Sequence, residues 1–312
     1  RASPLGLWWL PESGIPALLL ALLAAFWLLL PRGVPGKHLA WLMWLPLLWP
    51  DRELPARGAV ELQVIDVGQG LSVLVRTAGH SLLYDMGPAV KDGFDAGERT
   101  VVPSLHALGV SRLDRATVSH GDNDHAGGLE AVRRAIPVTR LSAPEGAGVT
   151  GGQPCLAGQS WSWDGVRFRY LHPARHFPYL GNEASCVLRI EGRYGAVLLP
   201  GDVGEVIERR LLQDDPAALR AEVVLVAHHG SGGSSDPGFV TATGARHAVV
   251  STGFGNRFGH PRAEVLERWQ SAGAQVHDTA SDGALRIRIQ EGGVDVEARR
   301  RTHPHLWDVT RR

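Results

Sequence analysis

The chain has 312 residues, enough for one substantial domain with accessories. With 32 basic against 32 acidic residues its formal net charge is +0, so no strongly basic balance announces a nucleic-acid binder. Two cysteines, Cys155 and Cys186, are too few for a cysteine zinc site or a dense disulfide framework. One disulfide between them is open in an oxidising compartment, and spacing alone does not decide it.

Residues 15 to 30 form an uncharged apolar run, IPALLLALLAAFWLLL, stopped by Pro31 and Arg32. A second run, HLAWLMWLPLLWP, ends near Asp51 and carries Pro46. Crossing a bilayer takes about 17 to 25 residues. The first run reaches that length only with its flanks, and the second falls short. Tryptophan favours the membrane interface. Residues 1–50 are therefore expected to hold one or two membrane helices, and 51–58 a linker. The chain opens on Arg1 without a methionine and reads as a piece of something longer.

VELQVIDVG then alternates like a strand, and LSVLVRTAGHSLLYDMG continues as two strands around a glycine turn. RTVVPSLHALGV predicts a short helix, LDRATVSH a strand ending on a histidine, and AGGLEAVRRA a helix with a glycine-rich start. CVLRIEGRYGAVLLPGD reads as a hairpin ending at an Asp, and VGEVIERRLLQ as an amphipathic helix. EVVLVAHHGS is a strand ending on two histidines, ARHAVVST another strand, PRAEVLERWQSAG a helix, and ALRIRIQEGGVDVEARR two closing strands. The main domain is expected over 59–290, with a last strand and a polar tail over 291–312.

SHGDNDHAGG packs His120, Asp122, Asp124 and His125 into six residues directly after an apolar strand. Imidazole and carboxylate are the usual nitrogen and oxygen ligands of divalent metals. A helix cap needs one carboxylate, not two with two histidines. Asp202 in LLPGD follows an apolar strand and a glycine, which places a carboxylate well for the same site, although Gly-Asp is also common turn chemistry. Of the paired His228 and His229, one can be a ligand and the other a neighbour, with His228 slightly favoured.

SHGDNDHAGG resembles the metallo-β-lactamase superfamily signature, with Asp122 where a histidine often stands. The resemblance implies a four-layer αββα sandwich of the α+β class, two mixed sheets face to face with helices outside. It implies two divalent metal ions: His120 and Asp122 on the first, Asp124 and His125 on the second. Asp202 would be shared, and His228 or His229 would complete the second. Asp85 in LLYDMG would brace the metal loop. The chain departs from the family by offering only His172, His176 and the Asn182–Ser185 strand entrance where another histidine usually serves the first metal. A carboxylate-rich site favours manganese more than a nitrogen-rich one does, so the expected metal is manganese or zinc.

VIDVGQGLSVLV, HGDNDH, GNEASCVLRI, VAHHGSGGSS and STGFGNRFGHP together resemble the C-terminal domain of ComEC-type competence proteins, membrane channels that carry transforming DNA into bacteria. What that implies is a metal-dependent nuclease of the natural-transformation machinery. Its partners would be DNA, as a single strand, the membrane, the rest of the channel and other DNA-uptake proteins. Asp124 and Asp202 would carry catalysis with the metals, and His260 is the candidate general acid. Asn256 and Arg257 in GFGNRFG could meet a phosphate. Asp66, Gln69, Asn182 and Ser185 would support the site or touch substrate. The arginine pairs 133/134, 209/210 and 286/288 could track a DNA backbone, or simply be solvated faces. Arg32 and Lys37 flank the loop between the apolar runs, and basic short loops favour the cytoplasmic side. Two crossings would put the catalytic domain outside the inner membrane. The competing readings are a membrane-attached small-molecule phosphodiesterase or ester hydrolase, and a non-catalytic gating domain.

Overall fold

The computed structural model describes residues 9–50, 53–304 and 308. It divides into two compact units, one ending at Glu53 and taking in Pro103–Ser111, the other holding Leu54–Val102 and the chain from Arg112 on.

In the first unit the leading apolar run becomes the 15-residue helix Ile15–Leu29. Proline opens it and Pro31 follows its end, so it cannot extend in either direction. At about 1.5 Å per residue it reaches about 22 Å, short of a hydrocarbon core of about 30 Å. The second run breaks into a 3₁₀ stretch, Lys37–Trp44, and a single turn, Leu45–Leu48, with Pro46 in its second position. Among the described residues no helix is long and apolar enough to cross a membrane. This corrects the expected membrane helices and, with them, the membrane partner, the inner-membrane placement and the sidedness drawn from two crossings.

Among the described residues the second unit holds fifteen strands. β1 (Val60–Val64), β2 (Val73–Arg76), β3 (Ser81–Tyr84), β4 (Arg115–Thr117), β5 (Leu141–Ala143) and β6 (Gln153–Pro154) lie side by side in that order. β7 (Ser160–Trp163), β8 (Val166–His172), β9 (Val187–Glu191), β10 (Ala196–Leu199), β11 (Val223–Leu225), β12 (His247–Val250) and β13 (Gln275–Asp278) form a second sheet. β14 (Leu285–Gln290) and β15 (Gly293–Ala298) then return to the first, β14 pairing with β1 and β15 at the edge. Both sheets are mixed: β3 to β6 and β10 to β13 run parallel, the other neighbours antiparallel.

The packing follows from alternation. In β10 Val197 and Leu199 face the inter-sheet core with Leu62, Val75, Phe168 and Ile287, while Leu198 faces the outer helices. A strand buried on both sides needs an unbroken apolar run, which is why AVLL has no polar residue. The helices Glu205–Asp214, Pro237–Thr243 and Ala263–Ser271 supply Ile207, Leu211, Phe239, Val240, Val265 and Trp269 to that outer layer. The expected αββα sandwich is the observed fold. Cys155 and Cys186 are joined in a disulfide with Cα atoms 5.9 Å apart, deep in the inter-sheet core.

Parallel neighbours end on the same edge. The turns after β3, β4, β10, β11 and β12 carry Asp85, His120, Asp202, His228–His229 and Ser251, so the sheet edges bring these distant sequence segments together.

Candidate metal centre

Asp85 adopts a left-handed backbone with φ 60° just past β3, a conformation Asp tolerates better than most residues. Its buried carboxylate takes the Ser119 N–H at 2.6 Å and meets His125 Nδ1 at 2.8 Å. A carboxylate only accepts, so the His125 proton sits on Nδ1 and Nε2 presents a lone pair. His229 is fixed in the same way by the Ser251 carbonyl, 2.8 Å from its Nδ1. The two Nε2 atoms face each other at 3.1 Å. Asp202 Oδ2 lies 3.2 Å from the first and 3.6 Å from the second, and Asp124 Oδ2 3.3 Å from His229 Nε2. His120 Nε2 is buried without a hydrogen-bond partner among the described residues.

With neutral imidazoles this is a cage of acceptors with no donor to match them, and either a metal ion or protons on the histidines must neutralise it. Lone pairs at such distances repel unless a cation stands between, so the residues fit divalent metal. Two groups have ligand atoms close enough to hold an ion: His120, His125 and Asp202, and Asp124, His125 and His229. Without an ion, protons on the histidines take that role. Burial alone would lower the His125 pKa, but Asp202 and Asp85 outweigh it and push the imidazolium well above its usual range. Burial would raise Asp202, yet His125 and His229 hold it well below the carboxylate range. Against burial, Asp202 and Asp124 likewise raise His229, and His229 and His125 lower Asp124. For His120 burial and the neighbouring His125 dominate and lower it.

The remaining expected residues are placed unequally. Asp122 Oδ2 lies 3.7 Å from His120 Nε2 with its side chain mostly exposed. His228, favoured at first, points instead to Asn182, whose Nδ2 is 3.3 Å from its Nε2, and to the ring of His260 at 6.0 Å. Ser185 Oγ accepts the Asp202 N–H at 3.1 Å and donates to the Asn182 carbonyl at 2.7 Å, bracing the strand end. His172 bonds the Glu183 carbonyl and does not join the cluster, and His176 is exposed. Asp66 is held by the Gly68 N–H and Arg300, and Gln69 accepts from Gly253 N–H. Asn256 spends its amide on Gly253 and both backbone groups of His260. Arg257 is exposed above the Phe258 ring. The arginine pairs largely face acids: Arg133 meets Glu130, Arg209 meets Glu205 and Asp236, Arg210 meets Asp214, Arg286 meets Glu61, and Arg288 meets Asp295.

Three contributors were not anticipated. Ser119 Oγ touches Nδ1 of both His120 and His125, Ser251 orients His229 through its carbonyl, and Tyr179 accepts the Gly121 N–H at 2.8 Å. A backbone carbonyl leaves no side-chain signal, and Tyr179 sits in a loop without periodicity.

Fold and cluster together define a two-metal hydrolase. The family model described as the metallo-beta-lactamase superfamily matches residues 65–231, over half of the chain, and the chain belongs to that superfamily. It is 37% identical over 293 residues to "Competence protein ComA" of Neisseria gonorrhoeae, covering 94% of this chain and 41% of that protein. It is 31% identical over 245 residues to "Recombination protein 2" of Haemophilus influenzae, covering 77% of this chain and 30% of that protein. The chain thus spans less than half the length of these relatives. A solved metal-dependent hydrolase of the beta-lactamase superfamily aligns with a TM-score of 0.47 at 16% identity, over 70% of this chain and 95% of its own.

Proposed function

We propose that this chain is the nuclease domain of a ComEC-type DNA-uptake protein and hydrolyses DNA phosphodiesters. The observation that carries the reading is the acceptor-only cage of His120, Asp124, His125, Asp202 and His229. It occurs in a chain whose relatives are named for competence and recombination. In this reading His120 and Asp122 serve the first metal, Asp124, His125 and His229 the second, and Asp202 both, over a domain of 59–290. When bound, the two ions supply Lewis-acid polarisation of a phosphoryl oxygen and an acidified water. Asp85 and Ser251 fix the histidine tautomers so that lone pairs face the ions. In this reading His260, beside His228, is the group that would pass a proton to the leaving oxygen once bound phosphate favours its protonated form. Burial and then His228 and His229 lower its pKa, and a phosphate drawn to the site works against that lowering. Proteins of a DNA-uptake system are the partners this reading implies.

The test is cleavage of labelled single-stranded and duplex DNA by the chain after chelation and after return of manganese or zinc. Manganese is expected to restore cleavage at least as well as zinc, because three carboxylates border the site. Turnover of small phosphodiesters or esters without DNA cleavage would replace the nuclease reading with a small-molecule hydrolase. Bound metal without any turnover would leave a non-catalytic domain.

A further inference from the structure

The loop after β12 presents rings where a buried protein interior would hide them. Phe254 is 66% and Phe258 45% exposed, and the only other strongly exposed phenylalanine described in this unit is Phe94. The loop is not loose. Asn256 clamps its two ends through Gly253 and His260, and Gly253 N–H is tied to Gln69 beside the metal loop. Phe258 begins a line of side chains that leads inward. The Arg257 guanidinium lies 4.9 Å from the Phe258 ring centroid, and Phe258 lies nearly parallel to His260, 5.9 Å away with 11° between planes. His260 meets His228 edge-on at 6.0 Å, and His228 adjoins His229 of the metal cluster.

We infer that Phe254 and Phe258 are specificity-determining residues, a stacking platform for an unpaired base of the substrate strand next to the phosphate held at the metals. The inference rests on the nuclease reading and adds to it the side chains through which a single strand is held. Aromatic faces accept any base without hydrogen-bond readout, and a preset loop spends no ordering entropy on presenting them. The exposed Arg257 guanidinium, now over the Phe258 ring, adds positive charge beside the platform and gives up its place on the ring to a stacking base. Inside a duplex the bases already stack on one another, and only the terminal pairs offer a face to Phe258. The platform therefore favours single strands.

The experiment uses the full chain with manganese. Binding is read by anisotropy and turnover by cleavage, on a fluorescein-labelled thymidine 15-mer, a strand of equal length with abasic sites, and a blunt duplex. Stacking of one base is worth about five- to 150-fold in affinity. The Phe254→Ala/Phe258→Ala variant is expected to bind the thymidine strand at least tenfold more weakly and to raise KM with little change in kcat. It should lose almost nothing on the abasic strand, and Phe258→Trp should restore binding. A variant that binds and cleaves the thymidine strand as the parent does overturns the platform, as does an equal loss on thymidine and abasic strands. If the parent binds the strand in a base-dependent way but cleaves no DNA, the platform stands and the nuclease reading falls. If the parent neither binds nor cleaves, both fall.

Discussion

At the residue scale, the metal centre turns on which atom of each imidazole carries its proton. Asp85 and Ser251 settle that for His125 and His229, leaving two Nε2 lone pairs aimed at one point. Asp124→Asn and Asp202→Asn each exchange an anionic oxygen for a neutral amide at this point, and turnover is expected to fall at least a hundredfold, with metal content measured alongside. His229→Ala should behave like them, whereas His228→Ala should keep its metal and lose only part of its rate. Equal metal loss in both histidine variants would contradict the geometry. Metal binding should also be proton-linked. Burial would lower His125 and His229, but the facing carboxylates raise both, so the metal-free site holds protons that a metal must displace. Affinity should therefore rise with pH from 6 to 8, by up to about tenfold per unit for each proton released, and calorimetry in buffers of different ionisation enthalpy counts those protons. The HGDNDH cluster was legible because four ligand-type residues crowd one turn. The choice of His229 over His228 was not, because both adopt left-handed backbone, with φ 54° and 50°. Strand alternation says nothing about side-chain direction there.

At the element scale, the strands flanking the chemistry could be read from their apolar runs, and β8, VRFRYLH, carries the same alternation although it was not assigned, but β5 to β7 and β13 could not be read. β5 and β6 are three and two residues long, too short for any period to register. β7, SWSW, is an edge strand exposed along one face, and β13 carries Gln275, His277 and Asp278 in four positions. Pairing with neighbours, not local preference, makes these strands. The disulfide sits at the join between such a segment and a legible one. Cys155 N–H bonds the β5 carbonyl of Ala143, and Cys186 N–H bonds the Ser119 carbonyl of the metal loop. Replacing both cysteines with serine should lower stability by about 3–4 kcal/mol for a 31-residue separation, read by urea unfolding. His172, at the end of β8, gives an acid-sensitive joint. Burial drives its pKa down to about 4, below the 6.5 of an exposed histidine. Its contribution is whole above pH 6.5 and lost as pH falls towards 4. Urea unfolding at pH 7.5 and 5 should show a loss of roughly 1–2 kcal/mol that His172→Gln largely removes. An unchanged slope in that variant would assign the acid sensitivity elsewhere.

At the scale of the whole molecule, the sandwich and the metal centre depend on each other. The apolar alternation that defines two sheets was visible in the sequence, and so was the rule that every candidate ligand follows a strand. The apolar runs before Asp51 were visible too, yet their reading as membrane helices failed because prolines at 16, 31 and 46 cut the runs below the needed length. Composition counts apolar residues, while helix length is set by where the backbone can continue. The centre draws ligands from turns after β4, β10 and β11, and their supports from turns after β3 and β12, so it spans both sheets. A metal that binds here binds only the folded sandwich, since the unfolded chain scatters these residues over more than a hundred positions. Linkage then makes metal a stabiliser of the entire second unit, by about 2.7 kcal/mol for each site at a hundredfold excess over its Kd. Manganese added to the chelated chain should raise its thermal midpoint by several degrees and sharpen the transition. Asp202→Asn should lose most of that rise while unfolding near the metal-free parent. A midpoint that ignores manganese in the parent, at concentrations that restore turnover, would mean that the ions do not hold the two sheets together.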